Sequence, residues 1–323
     1  MDITKKKILF ICPKFHDYEL MIKEKLEKFG AEVYYFPEKS YNLDFKIINN
    51  FFSRQMDEFQ NKHYIKIFNE IKDIKFDYLF VIRGYKLSQE FLTKFKTKNP
   101  SCKLIMYQWD SQRTNNYAHL IPFFDKVTTF DFEDSEQFNL EYIPLFYTDD
   151  IKQYNTDKNN TIYDFFFMGF FFDERYQAVL KFRDYCNRNG YKLKSFLYMP
   201  LTTRLKYFLK GKKLDKDIVS FKHMNREEYI KTLAESKVMV DVSNPGQTGL
   251  AMRVIESLAS NTKIFTNNTN FVKDKKVAQS GMVMLFSLDK IELSKEFLNS
   301  NIKSDSNVVL SINEWLKKIF ETL

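Results

Sequence analysis

Glycine is scarce in this chain, at eight of 323 residues, roughly a third of the ~7% usual for proteins. Each glycine is therefore read as required at its place. Cysteine is scarcer still: Cys12, Cys102 and Cys186 form an odd set without a CxxC pair. That excludes a disulfide scaffold and reads as structural thiols in a reducing cytoplasm. The four histidines, His16, His63, His119 and His223, are too dispersed for a zinc cluster, and no protein-held metal is expected. Long apolar runs are missing as well. Three lysines at 5–7 precede an apolar run at 8–12 that stops at Pro13, short of the ~7 to 15 residues of a signal-peptide core. The longest apolar stretch, 165–172, is far below the ~18 residues of a membrane span. A soluble, cytoplasmic protein is expected.

What is present is a large apolar and aromatic fraction, 44% and 17%, which excludes disorder and collagen-like sequence. At about 150 residues per domain the length implies two domains, each able to bury its own core. The polar stretch 148–160 (TDDIKQYNTDKNN) reads as the crossing between them. The expected domains are 1–150 and 151–323, with the last helix free to pack back on the first. Their charges differ: residues 1–150 carry 22 basic and 23 acidic side chains, and 151–323 carry 28 and 19. A basic second half fits nucleic acid, an anionic membrane face or a nucleotide diphosphate, and charge alone does not choose. Helix-turn-helix, zinc and RNP-type motifs are all missing, so nucleic acid is not expected as a partner.

Short runs rich in β-branched and aromatic residues alternate with longer stretches of helical spacing, the pattern of a parallel sheet with crossover helices. Strands are predicted at 8–12, 32–36, 78–82, 103–108 and 126–130, and helices at 16–29, 44–71 and 88–95, the last opened by Ser88. After 160 the alternation restarts, with strands at 165–171, 193–198, 238–242 and 263–266 and helices at 174–187, 226–236, 250–259 and 312–322. The predicted architecture is α/β, two Rossmann-like doubly wound domains facing a cleft, with ligand at the carboxyl ends of the strands.

Two of the eight glycines fall in one segment, VMVDVSNPGQTGLAMRVIESLA at 238–259: a buried strand, a turn, then Gly249 opening a helix. Helix N-termini present unpaired N–H groups and partial positive charge, which favours phosphate there. Arg253 sits one turn in, and Glu256 lies three residues later on the same face, about 4.5 Å along the axis. The pair suits a phosphate and a ribose, or is an ordinary ion pair on a solvated helix. Gly169, inside an aromatic strand, marks either close approach of a ligand or a bulge.

This segment resembles the donor-nucleotide region of GT-B glycosyltransferases, and the chain is similar to the spore-maturation type found in capsule and lipopolysaccharide gene clusters. FVIRG at 80–84, YQWDS at 107–111, the 124–131 segment, IPLFY at 143–147 and FFMG at 166–169 carry the same resemblance, which spans most of 75–270. It implies a UDP- or GDP-sugar donor held by the second domain: the Thr248 and Gly249 amides, in one loop with Gln247, on the diphosphate, Arg253 beside it and Glu256 on the ribose. The acceptor would be a glycan or a lipid-linked glycan. Thr248 stands where retaining members carry the first of two glutamates, so inversion through a general base in the first domain is equally implied. Candidate bases at strand ends are Asp110, His16 and Asp17, each also readable as a turn residue or an exposed helix start. Arg83 either holds acceptor or diphosphate or is simply solvated. The acidic run 131–134 imitates a DxD metal clamp but also reads as helix-start acids, and metal-free stabilisation of the leaving group by the helix dipole and Arg253 is expected.

Two further readings stay open, an epimerase or hydrolase on the same scaffold and a basic nucleic-acid-binding protein. Residues 204–217 carry six basic and two acidic side chains interleaved with Leu, Tyr and Phe. They read as a peripheral contact to an anionic membrane surface or as a solvated helix.

Overall fold

The computed structural model describes residues 2–42, 44–45, 48, 52–154, 161–300, 302 and 307–321. The chain forms two compact units: Met1–Leu145 with Gly246–Gly249 and Ile312–Leu323, and Phe146–Pro245 with Leu250–Ser311.

The first unit holds β1 (Lys7–Cys12), α1 (Tyr18–Lys28), β2 (Glu32–Pro37), α2 (Met56–Glu70), β3 (Tyr78–Ile82), α3 (Gln89–Lys98), β4 (Lys103–Gln108), β5 (Lys126–Thr129), α4 (Phe132–Phe138) and β6 (Glu141–Tyr142). Its six strands are parallel in the order β2-β1-β3-β4-β5-β6. Side chains alternate across a strand, so the two sheet faces build different cores. Leu9, Ile11, Leu79, Val81, Leu104 and Met106 pack on α2 and α3 through Tyr64, Phe91 and Phe95. From the opposite face, Phe80 and Tyr107 meet the buried Trp315 of the helix Ile312–Phe320 at ring distances of 6.1 and 4.9 Å. Ser88 caps α3 by accepting from the Phe91 amide at 3.0 Å, as its sequence position predicts.

The second unit holds β7 (Phe146–Tyr147), β8 (Tyr163–Phe170), α5 (Asp173–Asn189), β9 (Leu193–Tyr198), α6 (Leu201–Leu209), β10 (Val219–Ser220), α7 (Arg226–Ala234), β11 (Ser236–Asp241), α8 (Met252–Ala259), β12 (Lys263–Thr266), α9 (Lys275–Gln279), β13 (Val283–Leu285), α10 (Lys295–Asn299) and β14 (Leu310–Ser311). The main sheet is again six-stranded and parallel, in the order β10-β9-β8-β11-β12-β13. Counted within this sheet the order is third, second, first, fourth, fifth, sixth, and it reverses between β8 and β11. In such sheets ligands bind outside the carboxyl ends of the strands at the reversal. Phe165, Phe167, Val238, Val240 and Phe265 pack on Val179, Phe182 and Cys186 of α5.

The α/β class with two Rossmann-like parallel sheets expected from the sequence is the one found. Of the predicted helix 44–71, residues 46–47 and 49–51 lie outside the described residues, as do 155–160 of the polar stretch 148–160. Among the described residues, no helix is long and apolar enough to cross a membrane.

Candidate functional site

In the second unit the chain reversal between β8 and β11 brings two arginines together. Arg175 lies in the first turn of α5, after β8, and Arg253 in the first turn of α8, after β11. Both side chains donate to one carbonyl, Val242 O, from Arg175 Nη2 at 3.2 Å and Arg253 Nη2 at 3.1 Å. Arg253 Nε also meets Asp241 Oδ1 at 2.7 Å, and Asp241 Oδ2 accepts from Thr266 Oγ1 at 2.7 Å. Arg175 Nη1 donates to Phe170 O at 3.0 Å, and its Nε is buried without a hydrogen-bond partner. Burial and the neighbouring Arg253 push the Arg175 pKa down to about 9, against the pull of Asp241. The guanidinium remains charged at neutral pH. A cation in the first turn of a helix also opposes the helix dipole, and neither α5 nor α8 has a side-chain N-cap. Two guanidiniums at two helix starts without side-chain caps meet one buried carboxylate, Asp241, while Asp173 and Glu174 of the first turn of α5 are exposed. Inside the cluster positive charge exceeds negative, which an oxyanion would balance.

Gly169 belongs to the same cluster, for a reason the sequence did not show. A Cβ there would lie 3.2 Å from Arg175 Nη1, so the missing side chain makes room for the guanidinium.

Glu256 departs from the ribose role that the resemblance implies. It is buried, with Oε1 2.7 Å from Arg226 Nη1 of α7. Arg226 donates further from Nε to Asp150 Oδ2 at 2.8 Å and from Nη2 to Thr148 Oγ1 at 2.7 Å. The alternative of an Arg253–Glu256 ion pair is corrected too: three residues apart, each side chain takes a different partner.

Thr248 and Gly249 differ from expectation in the same way. The helix begins at Met252, not at Gly249. Residues Gly246–Gly249 belong to the first unit, where the Thr248 and Gly249 amides donate to Asp131 Oδ2 at 2.6 and 3.1 Å. Thr248 Oγ1 donates to Asp131 Oδ1 at 2.7 Å. Here a side-chain carboxylate of the protein takes the place envisaged for a phosphate. The same Asp131 caps α4 through the Glu133 and Asp134 amides, so this acidic run is structural. Glycine is required at 249 because a Cβ would press on the Phe130 carbonyl oxygen and lie 2.6 Å from its ring. Gly249→Ala is expected to cost about 1–3 kcal/mol through forced repacking, read as a lowered urea midpoint with an unchanged slope.

The first unit gathers three of the predicted site residues. Asp110, just beyond β4, accepts from Arg83 Nη1 through Oδ2 at 3.2 Å and from Gln247 Nε2 through Oδ1 at 3.1 Å. Arg83, just beyond β3, is held by Glu38, which accepts from Arg83 Nε at 3.2 Å, from Arg83 Nη2 and from the Tyr85 amide at 2.9 Å. Glu38 is fully buried and was not singled out from the sequence. Burial raises the Asp110 pKa above the ordinary carboxylate value, opposed by Arg83, Gln247 and Lys39. Lys39 in turn sits 4.9 to 5.5 Å above the rings of Phe45, Tyr85 and Tyr41.

His16 and Asp17 follow β1, which pairs with β3. The Phe15 ring beside them lies 6.0 Å from that of Trp109. His16, Asp17 and Arg83 all have φ between 50° and 67°, left-handed backbone of the kind that gathers at functional strand ends. Among the described residues, no group of three or more His, Cys, Asp or Glu side chains is placed to hold a metal ion.

Over nearly its whole length the chain is similar to many solved proteins, including these three. One is a Listeria monocytogenes protein described as a UDP-N-acetylglucosamine 2-epimerase, at 13% identity and TM-score 0.53, covering 99% of this chain and 98% of that one. A second is the UDP-GlcNAc 2-epimerase of Neisseria meningitidis bound to UDP-GlcNAc, at 11% identity and TM-score 0.53, covering 98% of each chain. The third is the calicheamicin glycosyltransferase CalG4, at 9% identity and TM-score 0.50, covering 98% and 97%. No family model and no curated protein sequence matches the chain. At these identities the likeness is one of fold, and the chain has the α/β architecture of two Rossmann-like domains expected for a GT-B protein.

Proposed function

We propose that the chain moves a sugar from a UDP- or GDP-sugar to a hydroxyl of a glycan or lipid-linked acceptor in surface-polysaccharide synthesis. The observation that carries this reading is the pair Arg175 and Arg253, which share the Val242 carbonyl at the switch point of the second sheet. The donor diphosphate would lie against these guanidiniums and the two uncapped helix starts. As the acceptor oxygen attacks the anomeric carbon, the bond from that carbon to the diphosphate oxygen breaks and the electron pair leaves with the nucleotide. The guanidiniums stabilise the charge that develops there, and the acceptor proton goes to Asp110. Arg83 and Gln247 orient that carboxylate.

The fold likeness to two 2-epimerases supports a second reading, in which the sugar of the nucleotide sugar is altered and no acceptor is used. Product analysis separates the two: transfer consumes the acceptor and releases nucleoside diphosphate, whereas epimerisation does neither.

The shared requirement is tested by thermal shift against UDP, GDP and their sugars. A ligand at 100 times its Kd stabilises by about 2.7 kcal/mol. Replacing Arg175 by Met is expected to weaken that binding by about 10- to 100-fold, the value of a charge-assisted hydrogen bond. A wild-type protein that answers to none of these nucleotides, or an Arg175→Met protein that binds them equally well, overturns the proposal.

A further inference from the structure

Helix α6 (Leu201–Leu209) contributes no buried residue. Leu201, Leu205, Phe208 and Leu209 are 68%, 59%, 78% and 75% exposed. Their spacing of i, i+4, i+7 and i+8 puts all four in one sector of roughly 100° on the helix surface. The other side ties α6 to its unit: the Tyr207 ring packs 5.1 Å from that of Phe171, and the Arg204 guanidinium lies 4.2 Å above the Phe221 ring. The apolar stripe is therefore aimed outward by the packing of the opposite face, and nothing described in the second unit covers it.

Charge decides what would cover it. Lys206, Lys210, Lys213 and Lys216 are exposed in and just after α6, whereas Arg204 lies on the packed side over Phe221 and Lys212 is paired with Asp173. The acids of the same segment are Asp215 and Asp217. Asp215 is already paired with Arg183. A second copy docked through the same face would set this basic rim against itself, because a two-fold contact is self-complementary. An anionic bilayer matches both halves of the surface, taking Leu and Phe into the acyl boundary and Lys and Arg among the headgroups. We infer that α6 with its basic rim docks the protein on an anionic lipid surface. The sequence marked 204–217 for this role; the structure moves the apolar part upstream, to a stripe that starts at Leu201. The inference does not depend on the sugar-transfer reading, since its readout is vesicle partition.

The test is cosedimentation of the full chain with phosphatidylcholine vesicles with and without phosphatidylglycerol. Binding is expected only where phosphatidylglycerol is present, and it should fall steeply as salt is raised. Phe208→Ser with Leu209→Ser, and separately Lys206→Gln with Lys210→Gln and Lys213→Gln, should each lower partition about tenfold or more while the melting temperature stays at the wild-type value. The lysine set serves as an independent arm if the serine pair proves unstable. Equal binding to pure phosphatidylcholine, unchanged partition in the lysine set, or a wild-type dimer that the serine pair dissociates without any vesicle binding would each overturn the inference.

Discussion

Asp110→Asn is expected to slow sugar transfer by about 10²- to 10⁴-fold, the usual value of a general base, while nucleotide affinity stays at the wild-type level. Asn keeps the shape and one acceptor oxygen, enough for Arg83 or Gln247 but not both as donors, and it cannot take the acceptor proton. Burial makes Asp110 a stronger base than a surface carboxylate, with Arg83, Gln247 and Lys39 opposing the shift. The rate should therefore rise with pH through a midpoint above the ~3.9 of a free Asp side chain. Stability should move the other way. With the folded pKa raised, the protonated form of Asp110 favours folding below the unfolded value, and that contribution is lost as pH rises through the folded pKa. At neutral pH the Asn protein should melt no earlier than the wild type. Single-turnover rates with a labelled donor, beside nucleotide titration, read both quantities. An unchanged rate, or affinity lost in step with rate, would exclude Asp110 as the base.

The largest stability effect is expected at Arg226. Replacing it by Met leaves buried Glu256 without its ion-pair partner and strips Asp150 of its guanidinium contacts. Removing one side of a buried pair costs about 3–5 kcal/mol, which urea unfolding would report as a large fall in midpoint. Burial works to raise the Asp150 pKa, but the hydrogen bonds from Arg226 and Thr148 outweigh it and hold the pKa below the ordinary value. The stability drawn from Asp150 is thus present above its unfolded pKa and lost as pH falls through the folded one. The Met protein should accordingly show a weaker acid dependence of stability. If Glu256 held a ribose instead, Glu256→Gln would cost nucleotide affinity and leave the urea midpoint in place. Loss of midpoint with affinity retained is the result expected from the buried pair.

Much of the sheet could be read from the chain. The runs at 78–82, 103–108, 193–198 and 263–266 coincide with β3, β4, β9 and β12. In β3, β4 and β12 burial on both faces gives an apolar interior, while β9, LKSFLY, is mostly half-buried. The two-residue strands β6, β7, β10 and β14 were not found, since so short a segment has no periodicity to read. At the site, Asp110, Arg83 and Gln247 were each proposed, but their meeting depends on Gly246–Gly249 joining the first unit, a long-range contact that no local pattern reports. Glu38 was missed for the same reason, standing 45 positions from Arg83. Arg175 did leave a trace. It is a cation in the first turn of a helix that follows an aromatic strand, where the dipole disfavours it. The segment that invited a phosphate, 246–249, proved instead to feed its amides to Asp131. A scarce glycine marks a crowded backbone, and only the fold says whether ligand or protein does the crowding.

The helix Ile312–Phe320 has a consequence for how the protein is made. Trp315, Leu316, Ile319 and Phe320 are buried, with Trp315 and Phe320 against Phe80 and Phe320 also against Tyr78. These residues belong to the unit that leaves the ribosome first, yet they are translated after all of the other one. During vectorial synthesis the aromatic side of the early sheet stays bare while the second unit is still being read out, a window in which nascent chains are prone to stick. A fragment cut after Leu145 would inherit that bare side permanently, so dissection of the protein into halves should carry 312–320 along with the first.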